Sequence, residues 1–188
     1  MIDKKKIEEK NPFSFWSQSL IGLVEKLEEI GEEEFRNIYP HPILILIGGP
    51  ETESDDWSDP KTAENNDNGD DINEKRSFGK HVSFVEKTDR NPFGSWVTVG
   101  RAGNNDIIIR SSKISKLHAA FIIGREYKII DKGSANGTMI NGTKIESGKE
   151  VQINSGDRIR FWRYEFQFFM PEEFFQLLLR HARFHRKA

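Results

Sequence analysis

The sequence predicts a mainly β fold, an antiparallel β-sandwich with an N-terminal helix plus strand before it and a C-terminal helix after it. Apolar and polar residues alternate in short stretches after residue 80, as they do in strands that bury one face. The candidate strands are residues 81–86, 96–99, 106–109, 119–123, 127–130, 138–140, 151–153 and 159–169. The turn signals between them are Gly94, Gly124, Gly133, Asn136-Gly137, Asn141-Gly142, Ser147-Gly148 and Gly156-Asp157. Many short strands at this spacing are typical of two packed sheets.

An amphipathic helix is predicted near the N-terminus, with Asn11 and Pro12 as its start and Gly31 near its end. Its apolar residues recur every three or four positions, at Trp16, Leu20, Leu23, Leu27 and Ile30. Residues 32–38 can add a further turn before Pro40. This helix either joins the chain to a partner or packs on its own domain. Two heptads are short for a coiled coil, which favours packing on its own domain.

A buried strand is predicted at residues 43–47, because Ile43 begins an unbroken run of Ile and Leu. Gly48 and Gly49 follow it, and no Gly-Lys-Ser/Thr sequence comes after them, so a phosphate-binding P-loop is excluded. A strand followed by a turn is the simpler interpretation.

The next segment, residues 50–77, is predicted to be an acidic disordered linker. Residues 50–74 hold 1 Lys/Arg and 10 Asp/Glu, with almost no aliphatic side chains. Such a segment cannot bury enough apolar surface to offset its ordering entropy. Calcium binding is a weaker alternative, because the spacing and closing Glu of an EF-hand loop are missing.

A short basic helix is predicted at residues 171–188, after a β domain at residues 78–170. Pro171 suits the first turn, Glu172 and Glu173 complement the helix dipole there, and arginines follow near the other end. His181 and His185 lie four residues apart and could bind a metal, but no further ligand is apparent. We therefore predict no metal site and no cofactor.

Composition limits the function classes. The chain has no cysteine, which excludes disulfides, cysteine nucleophiles and cysteine-ligated zinc. No run approaches the roughly 18 to 20 apolar residues that cross a bilayer, and the first residues do not resemble a signal peptide, so a cytoplasmic protein is expected. The charge is uneven: −3 over residues 1–49, −9 over residues 50–74 and +10 over residues 75–188. The basic C-terminal part predicts an anionic partner.

One set of short motifs resembles the forkhead-associated (FHA) domain. The motifs are Gly100-Arg101, Ser115 with His118 three residues later, Asn136-Gly137-Thr138, and Asn141-Gly142. The resemblance covers roughly residues 80–170. It implies an eleven-stranded β-sandwich that binds phosphothreonine peptides through loops at one end.

The resemblance assigns the phosphopeptide contacts to five residues. Arg101 would bind the phosphate with its guanidinium fork, and Ser115 would donate its hydroxyl. Lys116 can add a backbone or ammonium donor, and Asn136 would hold the peptide main chain. Lys113 lies where the family often contacts the third residue after the phosphothreonine, and a lysine there would favour Asp or Glu.

Other residues are expected to support these loops. By the family pattern His118 braces the loops from inside and does not touch the ligand. Gly100, Gly137 and Gly142 would supply backbone freedom, and Asn141 belongs to the same motif. Two departures stand out: Ala135 replaces a polar residue that often helps hold phosphate, and Phe161-Trp162 stands where a glycine commonly occurs in the last hairpin.

Three other functions are less well supported. Ser115 and His118 suggest a hydrolase dyad, but no acid partner or Gly-x-Ser-x-Gly motif accompanies them, so we predict that the chain is not an enzyme. Nucleic-acid binding would use the basic residues, yet these are scattered and no nucleic-acid-binding motif is present. An FHA fold that binds a partner without phosphate stays open.

The sequence thus predicts a phosphothreonine-dependent interaction module, a signalling adaptor or regulator with no enzymatic activity. Its partner would be a phosphothreonine protein or peptide, which implies an upstream Ser/Thr kinase, and no membrane. An intramolecular contact is also possible. Thr52 in the acidic linker precedes Asp55 by three residues, so a phosphorylated Thr52 could fold back onto the site, although a merely solvated linker is the simpler interpretation.

Overall fold

The computed structural model describes residues 19–49 and 81–185, with side chains up to residue 183. In this part of the chain the helices are α1 (Leu20–Ile30), α2 (Glu32–Ile38) and α3 (Pro171–His185). The strands are β1 (Ile43–Gly48), β2 (Val82–Phe84), β3 (Trp96–Gly100), β4 (Ile107–Ile108), β5 (Ala119–Ile122), β6 (Lys128–Asp131), β7 (Thr138–Ile140), β8 (Thr143–Lys144), β9 (Glu150–Gln152), β10 (Arg158–Phe161) and β11 (Tyr164–Phe169).

The described strands form two sheets that pack face to face. One has the strand order β2-β1-β11-β10-β7-β8, and the other has the order β4-β3-β5-β6-β9. All pairs are antiparallel except β3 with β4. Apolar side chains from both sheets fill the space between them, among them Val99, Phe121, Phe166 and Phe168. The predicted β-sandwich with terminal helices is confirmed.

Strand β1 is buried on both faces, which explains its unbroken apolar run. It lies between β2 and β11, with Ile45 opposite Val82 on one side and Gln167 on the other. Leu44 and Leu46 point into the core between the sheets. Ile43 and Ile45 point the other way, into a second apolar cluster under the helices. Segment 1–49 therefore supplies a strand to the interior of the sandwich's larger sheet.

The three helices cover the outer face of that sheet. Leu23 and Leu27 of α1, Phe35 of α2, and Phe174 and Leu178 of α3 are buried in the second cluster. Burial of such apolar surface is the main force that holds the layer in place. The N-terminal helix therefore packs on its own domain, as favoured from its short length.

The start of α1 differs from the prediction. The helix begins at Leu20, because the Ser19 hydroxyl accepts a hydrogen bond from the Gly22 N–H at 3.1 Å and caps it. Asn11, Pro12 and Trp16 lie outside the described residues. Gly31, with φ +84°, ends α1 as expected and leads directly into α2.

The strands differ from the prediction in two places. Residues 159–169 form the two strands of a hairpin, β10 and β11, which turns at Trp162 and Arg163. Trp162 has φ +57° in place of the glycine that the resemblance led us to expect. Strand β8 was missed because its two residues are exposed and carry no apolar signal.

The connection between β1 and β2 begins and ends at neighbouring points of the fold. The two strands are antiparallel partners, and the Leu46 N–H donates to the His81 carbonyl at 3.0 Å. The predicted acidic linker, with Thr52, falls in this connection and lies outside the described residues. Within the described residues, no helix has the length and apolar character that crossing a membrane requires.

Candidate functional site

The predicted site residues come from three connections at one end of the sandwich. Arg101 directly follows β3, Lys113, Ser115 and Lys116 precede β5, and Asn136 precedes β7. Strands β3 and β5 are antiparallel partners, as are β5 and β6, so these connections meet at the same end of the strands. The topology therefore brings together side chains that are up to 35 positions apart in the sequence.

The first two connections are joined through their backbones. The Arg101 N–H donates to the Ser115 carbonyl at 3.0 Å, and the Ala102 N–H donates to the Lys116 carbonyl at 3.3 Å. Gly100 permits this approach, because a Cβ atom at that position would overlap the Lys116 carbonyl oxygen. Arg101 is thereby fixed beside Ser115 by the main chain.

Asn105 also holds the first two connections together. Its buried side-chain amide donates to the carbonyls of Ala102 and Lys116, at 2.8 and 2.7 Å. One amide thus holds both connections, and the Lys116 carbonyl receives two donors. We did not single out Asn105 in the sequence, where Asn104-Asn105 reads only as part of a polar loop.

The third connection is held against the second by two side-chain hydrogen bonds. The Ala135 N–H donates to the Ser115 hydroxyl oxygen at 3.1 Å, and the Asn136 amide donates to the Lys113 carbonyl at 2.6 Å. Because Ser115 accepts this bond, its own O–H remains able to donate to a ligand. The Asn136 side chain is exposed and keeps its carbonyl oxygen available as an acceptor.

His118 links the second and third connections from inside the fold. Its fully buried ring accepts the Ser115 N–H at Nδ1, at 3.3 Å, so the proton of the neutral ring lies on Nε2. The Nε2–H donates to the Gly137 carbonyl at 3.2 Å. Burial lowers the pKa of His118, although the Gly137 carbonyl and the charge of Asp131 act in the opposite direction. The neutral imidazole therefore cross-links the two connections at pH 7.

Asp131 shapes the third connection. Its carboxylate is buried and accepts the N–H groups of Gly133 and Ser134 and the hydroxyls of Ser134 and Thr138. Burial opposes its ionisation, but the hydrogen bonds from Ser134 and Thr138 outweigh burial and lower its pKa. The carboxylate thus stays charged and keeps the turn before Asn136 in one shape. Asp131 was also missed, although Asp followed by Gly and Ser two and three residues later is a recognisable side-chain-to-backbone turn signal.

The surface of the site is cationic. Arg101, Lys113 and Lys116 are exposed. Among the residues that the structure describes, none forms a hydrogen bond or ion pair with the charged ends of these three side chains. Charged donors without an internal partner are free to bind an anion, and their fields add where they are close together.

Asn141 and Gly142 lie elsewhere. They form the turn between β7 and β8, with φ +50° and +81°, at the end of β7 away from Gly137. The Asn141 side chain donates to Asp157 at 2.8 Å and accepts the Arg158 N–H at 2.9 Å. Its described contacts therefore support the connection before β10, and not the three connections that carry Arg101, Ser115 and Asn136.

The geometry does not suit Ser115 and His118 as a catalytic pair. His118 Nδ1 accepts the main-chain N–H of Ser115, whereas the hydroxyl of Ser115 binds the Ala135 N–H. A general base must instead be within hydrogen-bond reach of the nucleophile's proton. On α3, the His181 Nδ1 lies 2.9 Å from the Leu177 carbonyl, and the described residues contain no group of three or more His, Cys, Asp or Glu arranged to hold a metal ion.

Comparison with known proteins agrees with the fold and the motifs. The family model of the FHA domain matches residues 97–162, which include every predicted site residue. The transcriptional regulatory protein EmbR of Mycobacterium tuberculosis is 38% identical over 71 residues, covering 37% of this chain and 18% of EmbR. The glycogen accumulation regulator GarA of Mycolicibacterium smegmatis is 37% identical over 62 residues, covering 30% of this chain and 39% of GarA.

A solved structure of M. tuberculosis EmbR in complex with a low-affinity phosphopeptide is also similar, with 35% identity and a TM-score of 0.39 over 41% of this chain and 20% of EmbR. The chain therefore spans well under half the length of these relatives. The matched part holds the three connections described above and most of the strands, but it leaves out β1, β2 and β11 of the larger sheet. The match to the FHA-domain model is confined to residues 97–162 of this chain.

Proposed function

We propose that this protein is a phosphothreonine-dependent protein–protein interaction module without enzymatic activity, and that the junction of the three connections is its binding site. One observation supports this above all. Hydrogen bonds hold the three connections together: the Arg101 N–H donates to the Ser115 carbonyl, the Ala135 N–H to the Ser115 hydroxyl, and the Asn136 amide to the Lys113 carbonyl. The guanidinium of Arg101, the O–H of Ser115 and the amide oxygen of Asn136 stay available to a ligand.

The proposed phosphate contacts match the chemistry of a phosphorylated threonine. The phosphate carries about −1.5 to −2 charges at pH 7 and presents three acceptor oxygens. Arg101 offers a guanidinium fork, Ser115 an O–H, and Lys116 an ammonium or main-chain N–H. Main-chain bonds fix the backbone of Arg101 beside Ser115 before a ligand arrives, so binding has to order mainly the exposed cationic side chains.

The remaining contacts would orient the peptide. We assign Asn136 to the peptide main chain, since its amide carries a free acceptor and a second donor hydrogen beside the phosphate position. Lys113 is exposed next to it and would favour an acidic residue after the phosphothreonine. His118, Gly100 and Gly137 have supporting roles, because each lies under a contact residue or at a close approach between connections.

A calorimetric titration with a degenerate phosphothreonine peptide library tests the proposal. We expect binding that requires the phosphate, is weaker for phosphoserine and is absent for unmodified peptides. Arg101→Ala should abolish it. Arg125→Ala is the matched control, because Arg125 is an exposed arginine between β5 and β6, at the opposite end of the sandwich. The proposal would be refuted if the Arg101→Ala variant bound the peptides as the wild type does, or if binding did not depend on phosphorylation.

The same titration separates two other functions. A partner that binds without phosphate would be unaffected by Arg101→Ala. Nucleic-acid binding would show a steep salt dependence with any DNA and would tolerate the loss of one arginine. A Ser/Thr kinase that phosphorylates the partner is implied by the proposal. An internal ligand centred on Thr52 stays a prediction, since Thr52 lies outside the described residues.

A further inference from the structure

Lys144 lies over the turn that carries Asn136. In the structure its side chain occupies the space that a side chain at residue 137 would fill. A Cβ atom built on Gly137 would overlap the Lys144 Cε atom and would come within 3.0 Å of its Nζ. Gly137 also has φ +79°, a conformation that other residues adopt at a cost. The glycine therefore makes room for the lysine.

The fold fixes this position from the other side as well. Lys144 is in β8, an edge strand of the larger sheet, and pairs with Met139 of β7. The Ile145 N–H donates to the Thr138 carbonyl at 3.0 Å, so β8 returns towards Gly137 after the turn at Asn141. The stem of Lys144 thus packs along the Gly137 main chain and leaves the ammonium group at the surface.

The ammonium group has no partner of its own in the described part of the chain. Lys144 is exposed, and within residues 19–49 and 81–185 it forms no hydrogen bond or ion pair. Two other lysines differ in this respect: Lys128 is paired with Glu150 at 3.1 Å and Lys149 with Glu146 at 3.9 Å. A lysine held against the backbone of a binding loop, with its charge unused, is well placed to contact a ligand.

Asn136 consequently lies between two lysines. On one side its amide donates to the main chain of Lys113 at 2.6 Å, and on the other side Gly137 supports Lys144. If Asn136 holds the peptide main chain, a peptide crossing it passes Lys113 on one flank and Lys144 on the other. An acidic side chain near either lysine would be attracted, whereas a basic one would be repelled.

We propose that Lys144 determines specificity in the binding site by selecting an acidic residue, Asp, Glu or a second phosphorylated residue, on the peptide flank that passes over Gly137. This inference rests on the proposed function, and it identifies the ligand more narrowly as a peptide that is acidic on both sides of its phosphothreonine. The preference at Lys144 is separate from the one expected at Lys113.

The test uses the full chain and phosphothreonine peptides selected from the library. Each flanking position is replaced in turn by Asp or by Asn, which has nearly the same shape without the charge. In the wild type we expect one position outside the Lys113 flank at which Asp improves affinity about two- to five-fold over Asn, as one exposed ion pair would. The gain should shrink as salt is added.

Lys144→Met keeps the apolar stem over Gly137 and removes the charge. It should abolish the Asp-over-Asn gain at that position and weaken the Asp peptide more than the Asn peptide. Lys144→Arg, which keeps a charge on a similar stem, should retain the gain. Lys149→Met removes another exposed lysine, which is paired with Glu146, and should behave like the wild type.

The outcomes distinguish this inference from the proposed function. An unchanged Asp preference in Lys144→Met overturns the role of Lys144 while phosphate-dependent binding stands. If the wild-type protein prefers Asp over Asn at no position outside the Lys113 flank, the role of Lys144 is overturned in the same way, and phosphate-dependent binding again stands. If no phosphothreonine peptide binds the wild type, the proposed function fails, and the role of Lys144 fails with it.

Discussion

The Nε2 atom of His118 lies 3.2 Å from the carbonyl oxygen of Gly137, in a part of the core where His118 is fully buried. Its Nδ1 accepts the N–H of Ser115, so one ring spans the two connections that would hold a phosphate and a peptide main chain. Phe161 packs edge-on against this ring, with 5.4 Å between the ring centroids. The site geometry is therefore coupled to core packing.

Replacing His118 with leucine should destabilise the protein and weaken phosphopeptide binding. Leucine fills a similar volume but leaves the buried Gly137 carbonyl without a donor, which costs about 1–3 kcal/mol. Urea unfolding measures the loss of stability, and calorimetry measures the loss of affinity. His41→Leu is the control, because His41 is half-buried and its nearest acidic oxygen, on Glu86, is 4.0 Å away. Equal effects of the two substitutions would contradict the cross-linking role.

Acidification should lower stability through His118. Its pKa is lowered in the folded state, whereas in the unfolded chain it is about 6.5. As pH falls below about 6.5, the unfolded chain binds a proton that the folded chain does not, so the free energy of unfolding decreases. The decrease continues until pH reaches the lowered pKa of the folded state.

Urea midpoints measured from about pH 7.5 to about pH 5 test this pH dependence. The curve of His118→Leu should be flatter than that of the wild type, and identical slopes would contradict the prediction. Asp131 does not interfere in this range. Its pKa is lowered, so its contribution is present above the unfolded value of about 3.9 and is lost only at lower pH.

Gly100→Ala should be far more damaging than Gly103→Ala. A methyl group at residue 100 would overlap the Lys116 carbonyl oxygen and come within 2.9 Å of the Asn105 amide, so the two connections must separate. Such overpacking costs about 1–3 kcal/mol. At residue 103 a Cβ atom would meet no other atom within 4 Å. Thermal unfolding of both variants gives the comparison, and equal stabilities would contradict the close approach.

Ile45→Ala and Leu44→Ala should each lower the free energy of unfolding by about 2–5 kcal/mol, although their side chains point to opposite faces of β1. Both are fully buried, in the cluster under the helices and in the core between the sheets, respectively. Ile21→Ala is the matched control, since Ile21 is 60% exposed on α1 and should change stability by less than about 0.5 kcal/mol. A tolerated Ile45→Ala would mean that the helical layer is not part of the folded unit.

Local sequence signals predicted the elements that local chemistry controls. Asn141 and Gly142 have the positive φ values that their pairing suggests, and Gly31 ends α1 where expected. The sequence does not predict the turn at Trp162, because a bulky aromatic residue adopts a left-handed conformation there and no Gly or Asn marks the turn.

The candidate site was only partly predictable for a related reason. Short motifs identify Arg101, Ser115 and Asn136, but the groups that hold them together act over distance along the chain. Asn105 bonds the carbonyl of Lys116, eleven residues away, and Lys144 reaches Gly137 from another strand. Likewise, buried Asp106 accepts hydrogen bonds from Thr88 and Thr98, which no spacing in the sequence links to it. Such partners become visible only once the sheets are formed.

The pairing of β1 with β11 also sets an order for folding during synthesis. Leu44 lies opposite Phe168, so β1 cannot pair with β11 on the ribosome until the whole region between them has been synthesised. Contacts this distant in sequence form slowly, because a long loop must close first. Until then both apolar faces of β1 are exposed to water and to other chains. An unpaired β1 is therefore a point of aggregation risk until β11 has been synthesised.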